Sequence, residues 1–242
     1  MAEIDPRLYG ARWAENYDEW HAGLMDDDGA IAKLAELAGD GPLLEFGVGT
    51  GRLAVPLAEQ GHEVVGVDIS EDMLAQLTKK TDAVTTVVAD MTTVRLEREF
   101  AVAYIAFNSI LVLQTQEAQV ELFRNAAAHL RPGGRFVLET MVIAGAKPGD
   151  QGSFRVAKIE DDSLTVVAGK IDPATGFHTG MWAILEPTGT RFYPISGRSV
   201  THFEMDLMAR LAGLELENRW GDWKEAPFTG SSTMHISVYR KP

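Results

Sequence analysis

Ten residues constrain this chain more than any others: Leu43-Leu44-Glu45-Phe46-Gly47-Val48-Gly49-Thr50-Gly51-Arg52. A short apolar run reads as a buried strand, and three glycines then turn the backbone into a helix beginning near Arg52. Glycine serves there because the chain turns sharply and a ligand approaches the backbone with no Cβ in the way. The next strand, His62-Glu63-Val64-Val65-Gly66-Val67-Asp68, ends in a carboxylate seventeen residues beyond Gly51. A nucleotide-binding βαβ unit carries its ribose-binding acid at a similar distance, roughly 20 residues past the glycines. The competing reading of the same residues is an ordinary strand-to-helix turn with an exposed aspartate.

Spacing separates the nucleotides. A dinucleotide fingerprint runs G-x-G-x-x-G and cradles a pyrophosphate on a helix N-terminus. Here the glycines run G-x-G-x-G, with Glu45 two residues ahead of the first. A carboxylate facing such a loop repels phosphates and suits a sulfonium or ammonium. The stretch resembles the first motif of the class I S-adenosylmethionine-dependent methyltransferases, an acid followed by G-x-G-x-G, and the resemblance runs from Tyr17 to Thr140. It implies S-adenosyl-L-methionine as cofactor and an α/β fold, a Rossmann-like doubly wound seven-stranded sheet. It also implies that Glu45, Gly47, Gly49, Gly51 and Arg52 form the cofactor loop. Asp68 would take the ribose hydroxyls with Ile69 beside it, and Met73 would lie on the adenine. Asp90 would take the adenine amino group, the Met91 amide would meet the ring, and Phe107 would join them from the fourth strand. Tyr17, on a Tyr-Asp segment that folds over the cofactor in many such enzymes, would reach the methionine end. Plainer readings stand beside these: Met73 as core, Asp90 as a helix cap, Tyr17 as part of a packing stripe.

Composition narrows the partners. The chain has 242 residues, 45% of them hydrophobic, enough for one full core. Its 22 basic and 35 acidic residues give a formal charge of −13. Nucleic-acid binding runs on phosphate neutralisation, so no nucleic-acid partner is expected. There is no cysteine, hence no disulfide, thiolate nucleophile or Cys-ligated metal. Without a basic-plus-apolar leader or an apolar run of about 18 residues, a cytoplasmic protein with no membrane partner is expected. The sequence is compatible with a homodimer and does not require one.

The chain reads as one domain: a helical cover over 1–40, a cofactor-binding core over 41–144, a β insertion over 145–198 and a return to the core over 199–242. Residues 5–21 suggest a single polar-aromatic helix with Pro6 in its first turn and Gly23 at its end. Trp13, Tyr17 and Trp20 recur at spacings of four and three, and so share a face. Further helices are expected over 28–38, 53–60, after the Ser70 cap, over 116–130 and over 199–212. Strands are expected over 84–89, the wholly apolar 100–107, 135–140, 214–220 and 233–240. Arg131-Pro132-Gly133-Gly134 marks a bend before strand five. Four segments, 154–159, 164–171, 177–185 and 191–195, are separated by turn signals. They suggest an antiparallel meander inserted after strand five as a lid over the catalytic edge.

Methyl transfer from a sulfonium needs little machinery beyond in-line alignment, with the reacting atoms roughly 3–3.5 Å apart. A general base helps when the nucleophile carries a proton. Asn108 follows the apolar run 100–107 at the edge that also carries Gly47, Asp68 and Asp90, and is expected to orient the acceptor. Of the six histidines, His178 and His202 are the reserve proton acceptors, while His62 and His129 read as surface residues. No H-x-x-H pair points to a metal. Phe107-Asn108-Ser109-Ile110 lacks the double-proline motif of nucleobase amino-methyltransferases. It is more similar to small-molecule amine methyltransferases of the glycine and sugar N,N-dimethyl types. The sugar enzymes carry a histidine just past the Ser-Ile pair, where this chain has Leu111 and Val112. The expected activity is methyl transfer to a nitrogen or oxygen of a small metabolite in natural product biosynthesis. The rivals are a non-catalytic S-adenosylmethionine- or nucleotide-binding module and a cyclase that uses the bound sulfonium electrostatically.

Overall fold

The computed structural model describes residues 6–21, 25–143 and 152–242. Its main sheet grows from β1 (Leu43–Phe46), whose four residues are all buried. Beside it run β2 (Val64–Asp68), β3 (Val84–Val88), β4 (Phe100–Ile105) and β5 (Leu130–Met141), all parallel. Every residue of β4 is buried, as a central strand covered on both faces requires. β10 (Glu215–Trp220) and β11 (Met234–Arg240) close the sheet as an antiparallel pair on β5. The order is β10-β11-β5-β4-β1-β2-β3.

Helices cover both faces. α3 (Asp27–Ala38), α4 (Ala54–Glu59) and α5 (Glu71–Lys80) bury Leu34, Leu57, Leu74 and Leu77 against one side. α6 (Gln116–His129) and α7 (His202–Leu211) bury Leu122, Phe123, Met205 and Met208 against the other. Ser70 caps α5 by accepting the Met73 N–H at 3.2 Å. Thr201 and Glu204 form a reciprocal capping box on α7.

Three expectations need correction. The single N-terminal helix is two, α1 (Pro6–Trp13) and α2 (Tyr17–His21), and its expected stop at Gly23 lies outside the described residues. The break lets Trp13 and Trp20 meet edge-on at 5.9 Å. The bend at Arg131 to Gly134 lies inside β5, where pairing jumps from Phe100↔Leu130 to Val102↔Arg135 and Gly133 takes φ 78°. His129 is not a surface residue but 2% exposed. Its Nδ1 donates to the Asn125 carbonyl at 2.8 Å while its Nε2 accepts the Leu96 N–H at 2.9 Å, so both ring nitrogens are satisfied by backbone.

The insertion after β5 is a separate antiparallel sheet in sequential order: β6 (Ser153–Ile159), β7 (Leu164–Ile171), β8 (Phe177–Glu186) and β9 (Gly189–Arg198). Tyr193 of β9 and Trp182 of β8 pack on Trp13, at 4.3 and 6.2 Å between ring centres. The other end of β9 rests on the one-turn 3-10 helix Ser109–Val112. There the Arg198 N–H donates to the Leu113 carbonyl at 2.8 Å, and its guanidinium reaches Gln119 at 2.8 Å and Glu204 at 2.7 Å. Gly197 makes this seating possible, because a Cβ there would stand 1.7 Å from the Leu111 carbonyl oxygen. Backbone cannot yield as a side chain does. Gly197→Ala is therefore expected to lower unfolding stability by about 1–3 kcal/mol, the usual cost of overpacking. Urea denaturation checks this, and an unchanged midpoint would mean that β9 is not held against Leu111.

Candidate active site

The three glycines leave β1 with φ values of 70°, 56° and 84° at Gly47, Gly49 and Gly51, all in the left-handed region. Nothing lies within 4 Å of where a Cβ on Gly49 would stand, so the loop backbone faces open space at that point. The loop is tied from two sides. Asp68 accepts the Gly49 N–H at 2.8 Å and, through its other oxygen, the Ser70 N–H at 2.9 Å. Asp18 of α2 accepts the Thr50 hydroxyl at 2.6 Å and pairs with Lys80 at 2.5 Å, while Lys80 also donates to the Thr50 carbonyl at 2.8 Å.

Glu45 lies beneath the loop, 4% exposed, and accepts the Tyr104 hydroxyl at 2.8 Å. Burial pushes its carboxyl up to about 8, with Asp68 adding to the shift and Tyr104, Arg52 and the Ala54 N–H opposing it. Burial also pushes the Tyr17 phenol up to about 12; Glu45, Asp68 and Asp18 reinforce this and Arg52 opposes it. Tyr17, Glu45, Arg52 and Asp68 thus share one electrostatic neighbourhood, although they come from α2, β1, the loop and β2. Arg52 is held by Asp27 of α3 and by Glu139 of β5. The buried carboxyl suits a ligand with a cationic end, and the loop's one arginine is already paired with carboxylates.

The adenine-side candidates lie along the same edge. Ile69 follows Asp68 and is partly buried. Met73 is 3% exposed and packs with Trp13, Ile184 and Tyr193, so α1 and the second sheet close over it. Asp90 takes the Thr92 N–H and hydroxyl on one oxygen, both at 2.7 Å, which makes it a turn cap as well as a candidate. The Met91 carbonyl accepts from Asn125 at 2.7 Å.

At the end of β4 the chain turns through Phe107 and Asn108, with φ values of 49° and 66°. Asparagine tolerates that region; phenylalanine there costs on the order of 1–3 kcal/mol. The Asn108 side-chain oxygen accepts the Met141 N–H at 2.7 Å and the Thr140 hydroxyl at 3.2 Å. A backbone donor fixes which amide atom is oxygen, so Asn108 presents its two N–H donors rather than an acceptor. His178 and His202 stand apart from it. His178 lies opposite Gly197, with its Nδ1 3.4 Å from the Ser199 hydroxyl. His202 opens α7, 6.1 Å from the His235 ring, and His235 pairs with Thr140. Burial holds both candidates below the ordinary 6.5, and Arg219 lowers His202 further.

Several site residues escaped the sequence reading: Glu139, Tyr104, the Asp18–Thr50–Lys80 tie, and His235, which burial pushes down to about 4. The one available signal was an acid inside the otherwise apolar strand containing Phe136, Val137 and Leu138.

Asp68→Ala is expected to weaken S-adenosylhomocysteine binding by about 1–3 kcal/mol, since the loop N–H of Gly49 loses its partner. Titration calorimetry measures this, and unchanged affinity would remove Asp68 from the site.

Known proteins share this fold. A family model described as a methyltransferase domain matches residues 43–134. The solved CcbJ methyltransferase from Streptomyces caelestis is 36% identical, with a TM-score of 0.92, and the match covers 98% of this chain and 99% of that one. A cypemycin N-terminal methyltransferase from a Streptomyces species is 29% identical over 98% of this chain and 99% of its own. An amino pentose methyltransferase of calicheamicin biosynthesis from Micromonospora echinaspora, solved with S-adenosylmethionine bound, shares the fold at 19% identity, TM-score 0.69 and full coverage of both chains.

Proposed function

This chain belongs to the class I S-adenosylmethionine-dependent methyltransferases, and from that premise we propose that it methylates an amine nitrogen of a small natural product. The bound cofactor supplies a methyl group on a sulfonium whose leaving group is a neutral thioether. The protein's part is to bind and align the two reactants. Gly47 to Gly51 and Asp68 hold the cofactor, with Tyr17 and Met73 covering it. Phe107 and Asn108 form the acceptor side of the edge. An exposed oxygen next to the acceptor nitrogen can take the Asn108 amide donors, which orient the nucleophile without removing its proton.

One observation carries the choice of amine over hydroxyl. The two buried carboxyls of this edge are already engaged, Glu45 by Tyr104 and Glu139 by Phe107 and Trp223. The two candidate histidines are placed elsewhere, His178 beside Ser199 and His202 beside His235. Such an edge suits a neutral amine, whose nitrogen is nucleophilic enough to attack directly, over a hydroxyl, whose oxygen becomes a strong nucleophile when a base takes its proton. The relatives support this reading, since the cypemycin relative matched along its full length is an N-terminal methyltransferase. A second, a dTDP-amino-sugar N,N-dimethyltransferase of Streptomyces venezuelae, is 30% identical over 54% of this chain.

The test is incubation with methyl-labelled S-adenosylmethionine and matched sets of amino and hydroxy metabolites, read by mass. Label should enter amines; label confined to hydroxyl compounds would overturn the choice. With the acceptor found, Asn108→Ala should lower turnover by about 10–100-fold while S-adenosylhomocysteine affinity stays within about threefold.

A further inference from the structure

The turn that ends β4 is held in a shape that phenylalanine does not favour, and a buried side chain of β5 takes part in holding it. Glu139, near the end of β5, is 3% exposed. Its Oε2 accepts the Phe107 N–H at 2.9 Å, and its main-chain oxygen accepts the Asn108 N–H at 3.2 Å. Its Oε1 accepts the Trp223 Nε1–H at 2.7 Å, from the loop between β10 and β11. The Arg52 guanidinium lies 3.5 Å from Oε2 and 5.7 Å from the Phe107 ring centre. Just past the turn, the Ser109 Cβ stands 3.2 Å from where a Cβ on Gly47 would be. The cofactor loop, the acceptor-side turn and a C-terminal loop therefore converge on one buried carboxylate.

We propose that Glu139 is a positioning residue for methyl transfer, fixing the Phe107–Asn108 turn against the cofactor loop and so setting the distance between methyl donor and acceptor. The inference rests on the cofactor site and is independent of the acceptor's identity. Geometry separates this role from plain packing. Two N–H donors from different elements reach two separate oxygens, a demand that a carboxylate meets. Glutamine has one oxygen, so its –NH₂ must face one of the donors. The Arg52 cation draws the same carboxylate toward the loop that holds the cofactor. A displacement of about 1 Å at a transferring centre can cost on the order of 100-fold in rate, so this placement matters although Glu139 touches neither reactant.

Counting donors provides the test. In Glu139→Gln one N–H faces an –NH₂; adding Trp223→Phe removes one donor and leaves the glutamine oxygen for Phe107. Hydrogen exchange is followed by mass on the peptide spanning 104–113, with saturating S-adenosylhomocysteine, and its dissociation constant is measured by calorimetry. Glu139→Gln should bind S-adenosylhomocysteine within about threefold of wild type while the turn exchanges at least about tenfold faster. The double variant should return exchange to within about threefold of wild type, and Trp223→Phe alone should leave it unchanged. Wild-type exchange in Glu139→Gln would overturn the proposal. So would a double variant as fast as the single, because the defect would then be general damage rather than a donor without an acceptor. If Glu139→Gln does not fold, the double variant must still fold, and failure of both to fold overturns the proposal as well.

Discussion

Glu45 is 4% exposed beneath the glycine loop, and much of the site follows from the cost of keeping a carboxyl group out of water. Placed at the third position of a buried strand, it has few ways to be satisfied. The structure supplies two, the Tyr104 hydroxyl from β4 and the Ala54 N–H at the start of α4. Both partners lie next to the loop. The carboxyl thereby ties the strand before the glycines, the helix after them and the strand that leads to the acceptor edge. When ionised it would favour one sign of charge in a ligand. A phosphate would meet a buried acid, whereas a cation would be favoured by it.

From that point the contacts run outward in a connected series. Arg52, the first residue past the glycines, is shared by Asp27, Glu139 and the face of Phe107. Glu139 anchors the left-handed turn at Phe107 and Asn108, and Asn108 fastens to Thr140 and Met141. The N-terminal helices attach to the same loop through Asp18 and to the second sheet through Trp13. The cover and the core are therefore tied to the cofactor loop by hydrogen bonds and ion pairs as well as by apolar packing.

Much of the fold was legible because its signals are local. Apolar runs marked the buried strands, glycines marked the turns, and Ser70 marked a cap, so the seven-stranded sheet and the antiparallel insertion could both be read. The family was legible from Glu45, the glycine spacing and Asp68 together. What escaped has no local signature. Phe107 at positive φ reads from sequence as one more residue of a strand, since nothing about phenylalanine announces that conformation. Glu139 is 32 residues from the backbone N–H it accepts and 84 from the indole it accepts. His129 looked like a surface residue because a helix end is commonly exposed; the backbone groups that make its burial tolerable, at Asn125 and Leu96, are visible only after folding. Asn108 was placed at the correct edge, but which of its amide atoms remains available depended on the strand beside it.

The buried carboxyl makes the most direct measurement a count of protons. With Glu45 raised by burial from 4.5 to about 8, it is expected to carry its proton in the ligand-free protein at pH 7. A bound sulfonium favours the ionised form, so its arrival should expel the proton. Calorimetric titration at pH 7 in buffers of different ionisation enthalpy reads that release. S-adenosylmethionine should release a substantial fraction of one proton, and its affinity should rise with pH until the carboxyl is ionised in the free protein. S-adenosylhomocysteine, which lacks the sulfonium charge, should release less, and Glu45→Gln should abolish the difference between the two. Equal release by both ligands, or release that persists in Glu45→Gln, would contradict the account.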